Sequence, residues 1–558
     1  MHRVSLITAS IMLFGVFILF QYASALNPSD RLSEIIQERL TFSPKQTTLL
    51  CRKDLLCGPN VLLRFYAARS FQPAWNGETG VSPAGAVLVR EIRATAREGL
   101  RPADYHLANI ENLLAELTNG VETNGVAELE MRADLDILLT DAFLLYGSHL
   151  LTGHVNPETI KSQWAIESRD ADLGEILTTA LDRNEIEKAL DGLRPQHAAY
   201  ASLKEALRYY HNIMETGAWP KVASGPKMER GDWGSRVRAL RSRLAISGDL
   251  VLTDAGDPYL FDDLLDLAVR GFQERHGLEV DGIVGRETLK VLNVTVTERL
   301  HQIRANLERW RWVPHSLGSH YILVNIANFE LDVVEHGQTV MSMRVVVGKG
   351  YRRTPVFTGS MTYMELNPYW HIPPRIAVRD IVPNVRQDPQ YLTRKNIRVL
   401  ESWDPQASEV DPGSIDWTRI TSKSFPFKLR QEPGPDNALG RVKFMFPNKF
   451  NVYLHDTPAR TLFQRTKRTF SSGCIRVEKP IDLAVYLLRG NPDWTRARIV
   501  ASIESGKTQT VHLPEPIPVH LLYWTAWVDS GGTIHFRDDI YGRDKRLIEA
   551  LNEGPPTP

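Results

Sequence analysis

The sequence is poor in cysteine and has no surplus of charge of either sign. Its 558 residues include three cysteines, and 66 Lys and Arg balance 66 Asp and Glu. A formal charge of zero excludes a protein whose main task is to neutralise nucleic-acid phosphates, because that task needs a basic surplus. Disorder along the whole chain is also excluded, since 43% of the residues are hydrophobic. The length is typical of about three or four domains.

Long apolar runs are scarce as well. The first one extends from Leu6 to Phe20, follows a basic start at Arg3, and is followed by the small residues Ala23-Ser24-Ala25. It is too short to span a bilayer comfortably but has the length of a signal-peptide core. We therefore predict a signal peptide over residues 1–25, with an uncleaved membrane anchor as the alternative. Either interpretation places the body of the protein outside the cytoplasm.

The three cysteines are unevenly placed. Cys51 and Cys57 are close enough in sequence to close a small loop in an oxidising compartment, which would leave Cys474 as the odd thiol. The sequence has neither paired cysteine ligands nor a His-Glu-x-x-His run, so a zinc hydrolase is disfavoured. We predict no metal and no cofactor.

Hydrophobic periodicity divides the remaining chain into regions of different character. Apolar residues at helical spacing predict a mostly helical scaffold over 26–215 and a compact three-helix module over 228–297. From Tyr321 the period changes to two, which predicts consecutive strands of an antiparallel sheet. The predicted fold class is multidomain α+β, with a β-rich domain over 300–505, a polar insertion at about 370–427 acting as a lid, and a C-terminal extension over 506–558.

One pair of motifs carries chemistry. His455 ends a predicted strand, and Cys474 lies in the run Ser471-Ser472-Gly473-Cys474. An imidazole can take a thiol proton and so activate a cysteine nucleophile. Gly473 allows close backbone approach, and its N–H together with that of Cys474 could form an oxyanion hole.

Each of these residues also has a purely structural interpretation. Cys474 could be a small buried hydrophobe and His455 a satisfied strand-end residue. Arg476 is predicted either to contact a substrate carboxylate or to form a structural ion pair beneath the loop. Tyr453 and Trp370 are candidates for lining a substrate groove, although aromatic residues in strands often belong to the core. Arg468 and Arg476 add positive charge that would favour a thiolate.

The run from Ser471 to Val477, with His455 before it, resembles the signature of the L,D-transpeptidase catalytic domain of the YkuD type. The usual Ser-His-Gly-Cys of that family is Ser-Ser-Gly-Cys here, so nucleophile and base are matched and Ser472 replaces the flanking histidine. The domain order and the Gly-Leu and Asp-Gly turns of the three-helix module resemble the larger, YcbB-like branch, in which such a module is a peptidoglycan-binding domain.

The resemblance implies a periplasmic enzyme that forms 3→3 cross-links between peptidoglycan stem peptides. Cys474 would be the nucleophile, His455 the general acid and base, and Gly473 part of the oxyanion hole. Arg476, Tyr453, Trp370 and Ser472 would contact substrate. The group orienting His455 would be a backbone carbonyl just after it, with the Asp456 side chain as the weaker alternative. A tetrapeptide donor, a diaminopimelate acceptor and peptidoglycan synthases are the implied partners, and carbapenems would acylate Cys474.

Two other functions stay open at this stage. A peptidase of the same fold would let water resolve the acyl-enzyme and would trim the stem peptide. A non-catalytic cell-wall-binding protein would have an inert Cys474, so thiol reactivity discriminates between the two classes.

Overall fold

A computed structural model describes residues 28–41, 49–77, 80–119, 125–160, 164–166, 169–251, 256–421 and 425–554. The predicted signal segment, residues 1–25, lies outside the described residues. A helical N-terminal region is followed by a three-helix module and a β-rich C-terminal region, which confirms the predicted fold class.

The helical region is organised around one long helix, Gly125–Thr152. This helix is apolar and long enough to cross a membrane by composition, but 83% of its most apolar stretch is buried inside the protein. It carries three buried carboxylates that hold the surrounding loops; Asp136, for example, accepts N–H bonds from Ala74 and Trp75, each at 2.8 Å. Buried carboxylates need such partners, because an unpaired one is costly. The helices are α1 (Pro28–Leu40), α2 (Pro59–Ala68), α3 (Pro83–Arg93), α4 (Leu107–Thr118), α5 (Gly125–Thr152), α6 (Leu173–Arg183), α7 (Ile186–Leu193) and α8 (Ala198–Glu215), and the short strands are β1 (Leu50–Cys51), β2 (Asp54–Leu55), β3 (Asn76–Gly77), β4 (Gly80–Val81) and β5 (Trp164–Ala165).

The two close cysteines are not bridged. Cys51 and Cys57 are free thiols, so the small disulfide loop allowed by their spacing is not formed in this structure. Cys51 is buried, and its Sγ lies 3.6 Å from an Asp134 carboxylate oxygen.

The three-helix module has a hydrophobic core of its own, built around Leu240, Phe261 and Phe272. Helices this short need mutual packing to persist, and this cluster supplies it. A long helix with a Thr295/Glu298 capping box then leads into the β-rich region. The elements are α9 (Ser235–Ile246), α10 (Asp263–Arg275), α11 (Arg286–Leu292) and the linking α12 (Val296–Arg311).

The β-rich region contains a sheet that closes on itself. Its strands follow the order β13-β14-β16-β8-β7-β6-β17-β9, and β13 also pairs with β9. Val324, Leu331 and Val345 point into a fully buried interior. The strands are β6 (His320–Asn325), β7 (Glu330–Glu335), β8 (Gln338–Gly348), β9 (Val356–Leu366), β13 (Val442–Met445), β14 (Leu454–His455), β15 (Thr469–Ser471), β16 (Ile475–Val477) and β17 (Gln509–Leu522).

The structure differs from the predicted domain boundary at residue 505. The predicted extension over 506–558 begins with β17, which lies between β6 and β9 and pairs with both. Alternation of buried residues in β17 is interrupted by Pro514, Glu515 and Pro516, where its pairing with β9 shifts register, and this interruption hides the strand from a periodicity analysis.

The insertion between β9 and β13 is a small unit with its own core, formed around Ile372, Val399 and Leu429. Its three strands form a separate sheet in the order β10-β12-β11. A π-helical segment, Ala377–Ile381, follows its first helix. The elements of the insertion are β10 (Trp370–Ile372), β11 (Ile397–Leu400), β12 (Lys428–Gln431), α13 (Pro374–Ile376), α14 (Val382–Gln387) and α15 (Tyr391–Arg394).

The chain after β16 contains α16 (Pro480–Leu487), α17 (Arg496–Glu504), β18 (Ala526–Val528), β19 (Ile534–Phe536) and α18 (Arg543–Asn552).

Candidate active site

Two neighbouring strands bring the predicted nucleophile and base together. β14 and β16 are parallel, with Leu454 paired to Ile475 and His455 paired to Arg476. Leu454 and Ile475 are fully buried on the core side. Because side chains alternate along a strand, His455 and Arg476 lie on the opposite face, and Cys474, directly before β16, lies on that face as well.

A third strand adds a cation to this face. Lys443 of β13 is paired with His455 across the strands, and its ammonium group lies 3.1 Å from a carboxylate oxygen of Glu365. The same ammonium lies 4.8 Å from the centre of the Tyr453 ring. The Tyr453 ring in turn meets the His455 ring edge-on, with ring centres 5.7 Å apart. The sequence analysis did not single out Lys443, since its alternation with buried neighbours is ordinary for a strand.

Cys474 is a half-buried thiol at the wall of a cavity of about 990 Å³. Its Sγ lies 3.8 Å from the carbonyl oxygen of Asn451. Burial raises the pKa of the thiol, although Tyr453, Lys443 and Arg476 each oppose that effect. The predicted bias towards a thiolate is therefore outweighed by desolvation, and the resting group is a neutral thiol. Arg468 takes no part, because its guanidinium donates to the carbonyls of Val345 and Phe329.

His455 is a buried, neutral imidazole. Burial and the positive charges of Arg476 and Lys443 together lower its pKa to about 3, against the opposing effect of hydrogen bonds to the backbone of Asp456 and Leu439. Its Nδ1 lies 2.5 Å from the carbonyl oxygen of Asp456. A neutral ring that donates from Nδ1 to a carbonyl keeps its proton there and leaves the Nε2 lone pair free to act as a base.

The group that holds Nδ1 of His455 is therefore a backbone carbonyl, in the position that the family resemblance implies for the orienting group. The Asp456 carboxylate is engaged elsewhere: it accepts from the N–H of Arg441 at 2.9 Å and from the Arg460 guanidinium at 3.2 Å. The alternative in which this side chain orients His455 does not match the structure.

The turn that carries the nucleophile is held by hydrogen bonds of its own. Gly473 has φ of +119°, a conformation that suits glycine and disfavours other residues. Its N–H donates to the Ser471 hydroxyl at 3.1 Å, and that hydroxyl donates to the Cys474 carbonyl at 2.5 Å. In this state the Gly473 N–H, predicted as an oxyanion donor, is already engaged within the turn.

Residues from a distant part of the chain support the same turn. The Thr354 hydroxyl donates to the Gly473 carbonyl at 2.9 Å and accepts from the Gly348 N–H at 3.0 Å. Tyr541 donates to the Gly348 carbonyl at 2.6 Å, and Arg543 donates to the Thr354 carbonyl at 3.0 Å. The sequence gives no signal for Tyr541 and Arg543, which lie almost 70 residues after Cys474.

The other predicted substrate contacts divide into two groups. Trp370, Tyr453 and Ser472 line the same cavity as Cys474. Arg476 is half-buried beside the thiol, and its Nε has no hydrogen-bond partner in the structure, which leaves it unlike a satisfied structural ion pair. Ser472 accepts a hydrogen bond of 2.7 Å from Arg352. Arg352 also pairs with Asp380 of the insertion, so it connects the insertion to the nucleophile turn.

The part of the chain that the structure describes contains no group of three or more His, Cys, Asp or Glu side chains placed to hold a metal ion. The chemistry available at the site is that of a neutral thiol and a neutral imidazole on the same face of two neighbouring strands.

Comparison with known proteins places these features in a family. Residues 319–499 match the family model of the L,D-transpeptidase catalytic domain, residues 234–292 that of a "Putative peptidoglycan binding domain", and residues 60–207 that of a scaffold domain. Residues 319–499 are therefore similar to a YkuD-type L,D-transpeptidase catalytic domain, and residues 234–292 before them are similar to a peptidoglycan-binding domain.

A curated relative supports the same assignment. A protein of Haemophilus influenzae named "Putative L,D-transpeptidase" is 39% identical over 260 residues, which are 47% of this chain and half the length of the relative. Among solved structures, an L,D-transpeptidase from Xylanimonas cellulosilytica is 17% identical, with 54% of this chain and 99% of that chain covered and a TM-score of 0.17. One from Mycobacterium smegmatis is 13% identical, covers 37% and 58%, and also has a TM-score of 0.17.

Proposed function

We propose that this protein is a cysteine L,D-transpeptidase that forms 3→3 cross-links between peptidoglycan stem peptides in the periplasm. The donor is a tetrapeptide stem whose third residue is diaminopimelate, and the reaction releases its terminal D-alanine. The single observation that carries the proposal is the pairing of His455 with the strand of Cys474 at the wall of a large cavity, with the Nδ1 of His455 held by a carbonyl.

The first half-reaction follows from the protonation states at the site. The Sγ of Cys474 attacks the carbonyl carbon of diaminopimelate while Nε2 of His455 takes the thiol proton. The bond to D-alanine then breaks, and His455 returns that proton to the leaving amine. A thioester remains on Cys474. Because the thioester conserves the energy of the amide bond, the reaction needs no nucleotide.

The second half-reaction uses the same base in the same way. The side-chain amine of diaminopimelate on a second stem attacks the thioester carbonyl and passes its proton to His455. The carbon–sulfur bond breaks, the new amide forms, and His455 gives the proton back to the departing sulfur. A neutral imidazole is required at both attacks, and the lowered pKa of His455 keeps the ring neutral before each of them.

The test is mass spectrometry of the purified protein, lacking residues 1–25, after incubation with a disaccharide-tetrapeptide. We expect a dimeric product that has lost one D-alanine, together with an acyl adduct on the intact protein. The Cys474→Ala variant serves as the control and should form neither.

The same measurement distinguishes the competing functions. Loss of D-alanine without a dimer would indicate a carboxypeptidase in which water resolves the thioester. No reaction of either kind, with a protein that still binds peptidoglycan, would indicate a wall-binding protein. A carbapenem offers a second test, because opening of its lactam ring by Cys474 should add the whole mass of the drug to the wild-type protein and nothing to the alanine variant.

A further inference from the structure

The cavity beside Cys474 has walls of one charge sign. Its lining includes the cations Arg352, Arg353, Arg375, Arg379 and Lys443, and no carboxylate. Cavities in proteins are mostly apolar, with few charged groups. A concentration of positive charge on one wall therefore indicates the chemistry of the ligand.

Two of these five cations are neutralised by neighbouring carboxylates behind the wall. Arg352 pairs with Asp380, with one contact of 3.0 Å, and Lys443 pairs with Glu365 at 3.1 Å. In the described ranges the other three, the cavity arginines Arg353, Arg375 and Arg379, form no ion pair with a carboxylate. The wall therefore carries about three uncompensated positive charges.

The fold itself does not account for the charge of Arg375 and Arg379. They are four residues apart on the helical segment that opens the insertion, and both are exposed. Like charges at this spacing destabilise a helix. Ala377 and Ile381 of the same segment are buried in the core of the insertion, which turns the two guanidinium groups towards the cavity. Arg375 lies in α13, and Arg379 lies in the π-helical turn Ala377–Ile381 that follows it, a conformation frequent at functional sites.

The positive charge of the same wall also lowers the pKa of a histidine. Burial lowers the pKa of His371, and the cations Lys428, Lys443 and Arg430 lower it further, against a smaller opposing effect of Glu365. The positive potential of the cavity thus extends to His371 in the insertion.

We propose that the cavity arginines form an anion-binding subsite that holds carboxylates of the donor peptide on either side of its reacting bond. This inference rests on the proposed function, which supplies the donor. A stem that ends in diaminopimelate and D-alanine carries two such groups: the free side-chain carboxylate of diaminopimelate and the terminal carboxylate of D-alanine. The planar guanidinium group binds a carboxylate in a two-point fork, which fixes the direction of the peptide as well as its position.

The subsite sets specificity by binding the donor and aligning it. Because a carboxylate anchored on each side of the bond aligns the carbonyl with Cys474, a donor without these charges should bind more weakly and in less defined poses. Exposed charge pairs contribute up to about 1 kcal/mol each, so we expect about a fivefold loss of affinity per arginine.

The experiment measures direct binding, so that it does not depend on turnover. In the Cys474→Ala background, the Kd of the tetrapeptide donor is determined by calorimetry for the parent and for Arg375→Gln, Arg379→Gln and the double variant. Arg419→Gln is the matched control, because Arg419 lies in the same insertion, is 87% exposed, and does not line the cavity. Three donors are compared: the native peptide, one with the side-chain carboxyl of diaminopimelate amidated, and one ending in D-alaninamide.

We expect the double variant to bind the native donor about 25-fold more weakly than the parent, with no change for Arg419→Gln. The effect of the double variant should shrink when a carboxylate is amidated, and the donor whose amidation removes the effect identifies the carboxylate that is bound. Equal losses for all three donors, or no loss for any, would overturn the subsite. Failure of the proposed function would show differently, as tight and carboxylate-dependent binding without any acyl adduct on the wild-type protein.

Discussion

The chain places cysteine, histidine and aspartate close together twice, once in the helical region and once in the catalytic domain. In the helical region, Asp141 accepts from the N–H groups of Cys57 and Gly58, each at 3.1 Å, and meets Nε2 of His106 at 2.8 Å. Nδ1 of His106 lies 3.1 Å from Asp54. In the catalytic domain the histidine meets a carbonyl and two cations instead.

The pKa values of the two histidines are therefore shifted in opposite directions. Burial disfavours a charge on His106, but its bonds to Asp141 and Asp54 outweigh burial and raise its pKa. At His455 burial and the positive neighbours act in the same direction, and the pKa is lowered to about 3. A histidine charged between two carboxylates holds loops together, whereas a neutral histidine with a free lone pair is able to move protons.

Replacing each of the two histidines with glutamine should give the largest difference between the regions, because the rate of acylation should fall in only one of the two variants. We expect His455→Gln to slow formation of the acyl-enzyme by about 10²–10⁴-fold, because the general base is lost, while the melting temperature changes little. His106→Gln should lower the melting temperature and leave the rate of acylation near the wild-type value. Burst kinetics with a chromogenic cephalosporin or carbapenem, combined with thermal unfolding, measures both. Equal kinetic defects in the two variants would contradict the assignment of His455.

Alkylation by iodoacetamide should also distinguish the thiols of the two regions, Cys474 and Cys57, through a smaller change in rate. Since the pKa of Cys474 is raised, its alkylation rate should increase about tenfold per pH unit, or about a hundredfold from pH 6.5 to 8.5. Cys57, whose pKa is raised to about 12 by burial and by Asp141, should be far slower at every pH. Peptide mapping by mass spectrometry separates the two sites. A rate at Cys474 that does not vary with pH would indicate a preformed thiolate–imidazolium pair and would contradict the neutral pair described above.

The two regions also differ in how much of them could be predicted from the sequence. The proposed catalytic pair was accessible because Cys474 lies in a short motif with Gly473 and because His455 ends a predicted strand. The protonation states were not accessible, because they depend on burial and on Lys443, which reaches the site only through pairing of β13 with β14. A local pattern contains no information about such cross-strand neighbours.

The contacts of distant residues with the nucleophile turn could not be predicted for the same reason. β17 was predicted as part of an extension, although it completes the sheet, because two prolines interrupt its alternation. The contacts of Tyr541 and Arg543 with the nucleophile turn depend on that strand crossing the sheet first. In the helical region, α8 buries Tyr200, Leu203, Leu207 and Tyr210 along one face, as helical periodicity predicts, whereas α5 is buried around most of its circumference.

Removing the hydrogen bonds that Thr354 makes to the nucleophile turn should decrease kcat moderately. Thr354→Val removes the hydroxyl that donates to the Gly473 carbonyl and accepts from the Gly348 N–H. Loss of about 1 kcal/mol for each of the two hydrogen bonds predicts a decrease of up to about 30-fold in kcat, with KM unchanged, because Thr354 positions the turn and does not itself line the cavity. Thr354→Ser should restore most of the activity. A change confined to KM, or a defect that serine does not rescue, would place Thr354 outside this role.

The smallest expected effect is a difference in the pH dependence of stability. Because the folded state raises the pKa of His106 above its unfolded value near 6.5, the stability gained from its charge is fully present below pH 6.5 and is lost as pH rises through the folded pKa. The melting temperature of the wild type should therefore exceed that of His106→Gln by about 2–4 °C at pH 6, and the difference should shrink towards alkaline pH. His455 has the opposite sign: its folded pKa is depressed, so the wild type should lose stability relative to His455→Gln as pH falls from 6.5 towards 3. If the melting temperatures of the two variants depended on pH in the same way, the carboxylates around His106 would not stabilise its charge. The electrostatic contrast between the two histidines would then be contradicted.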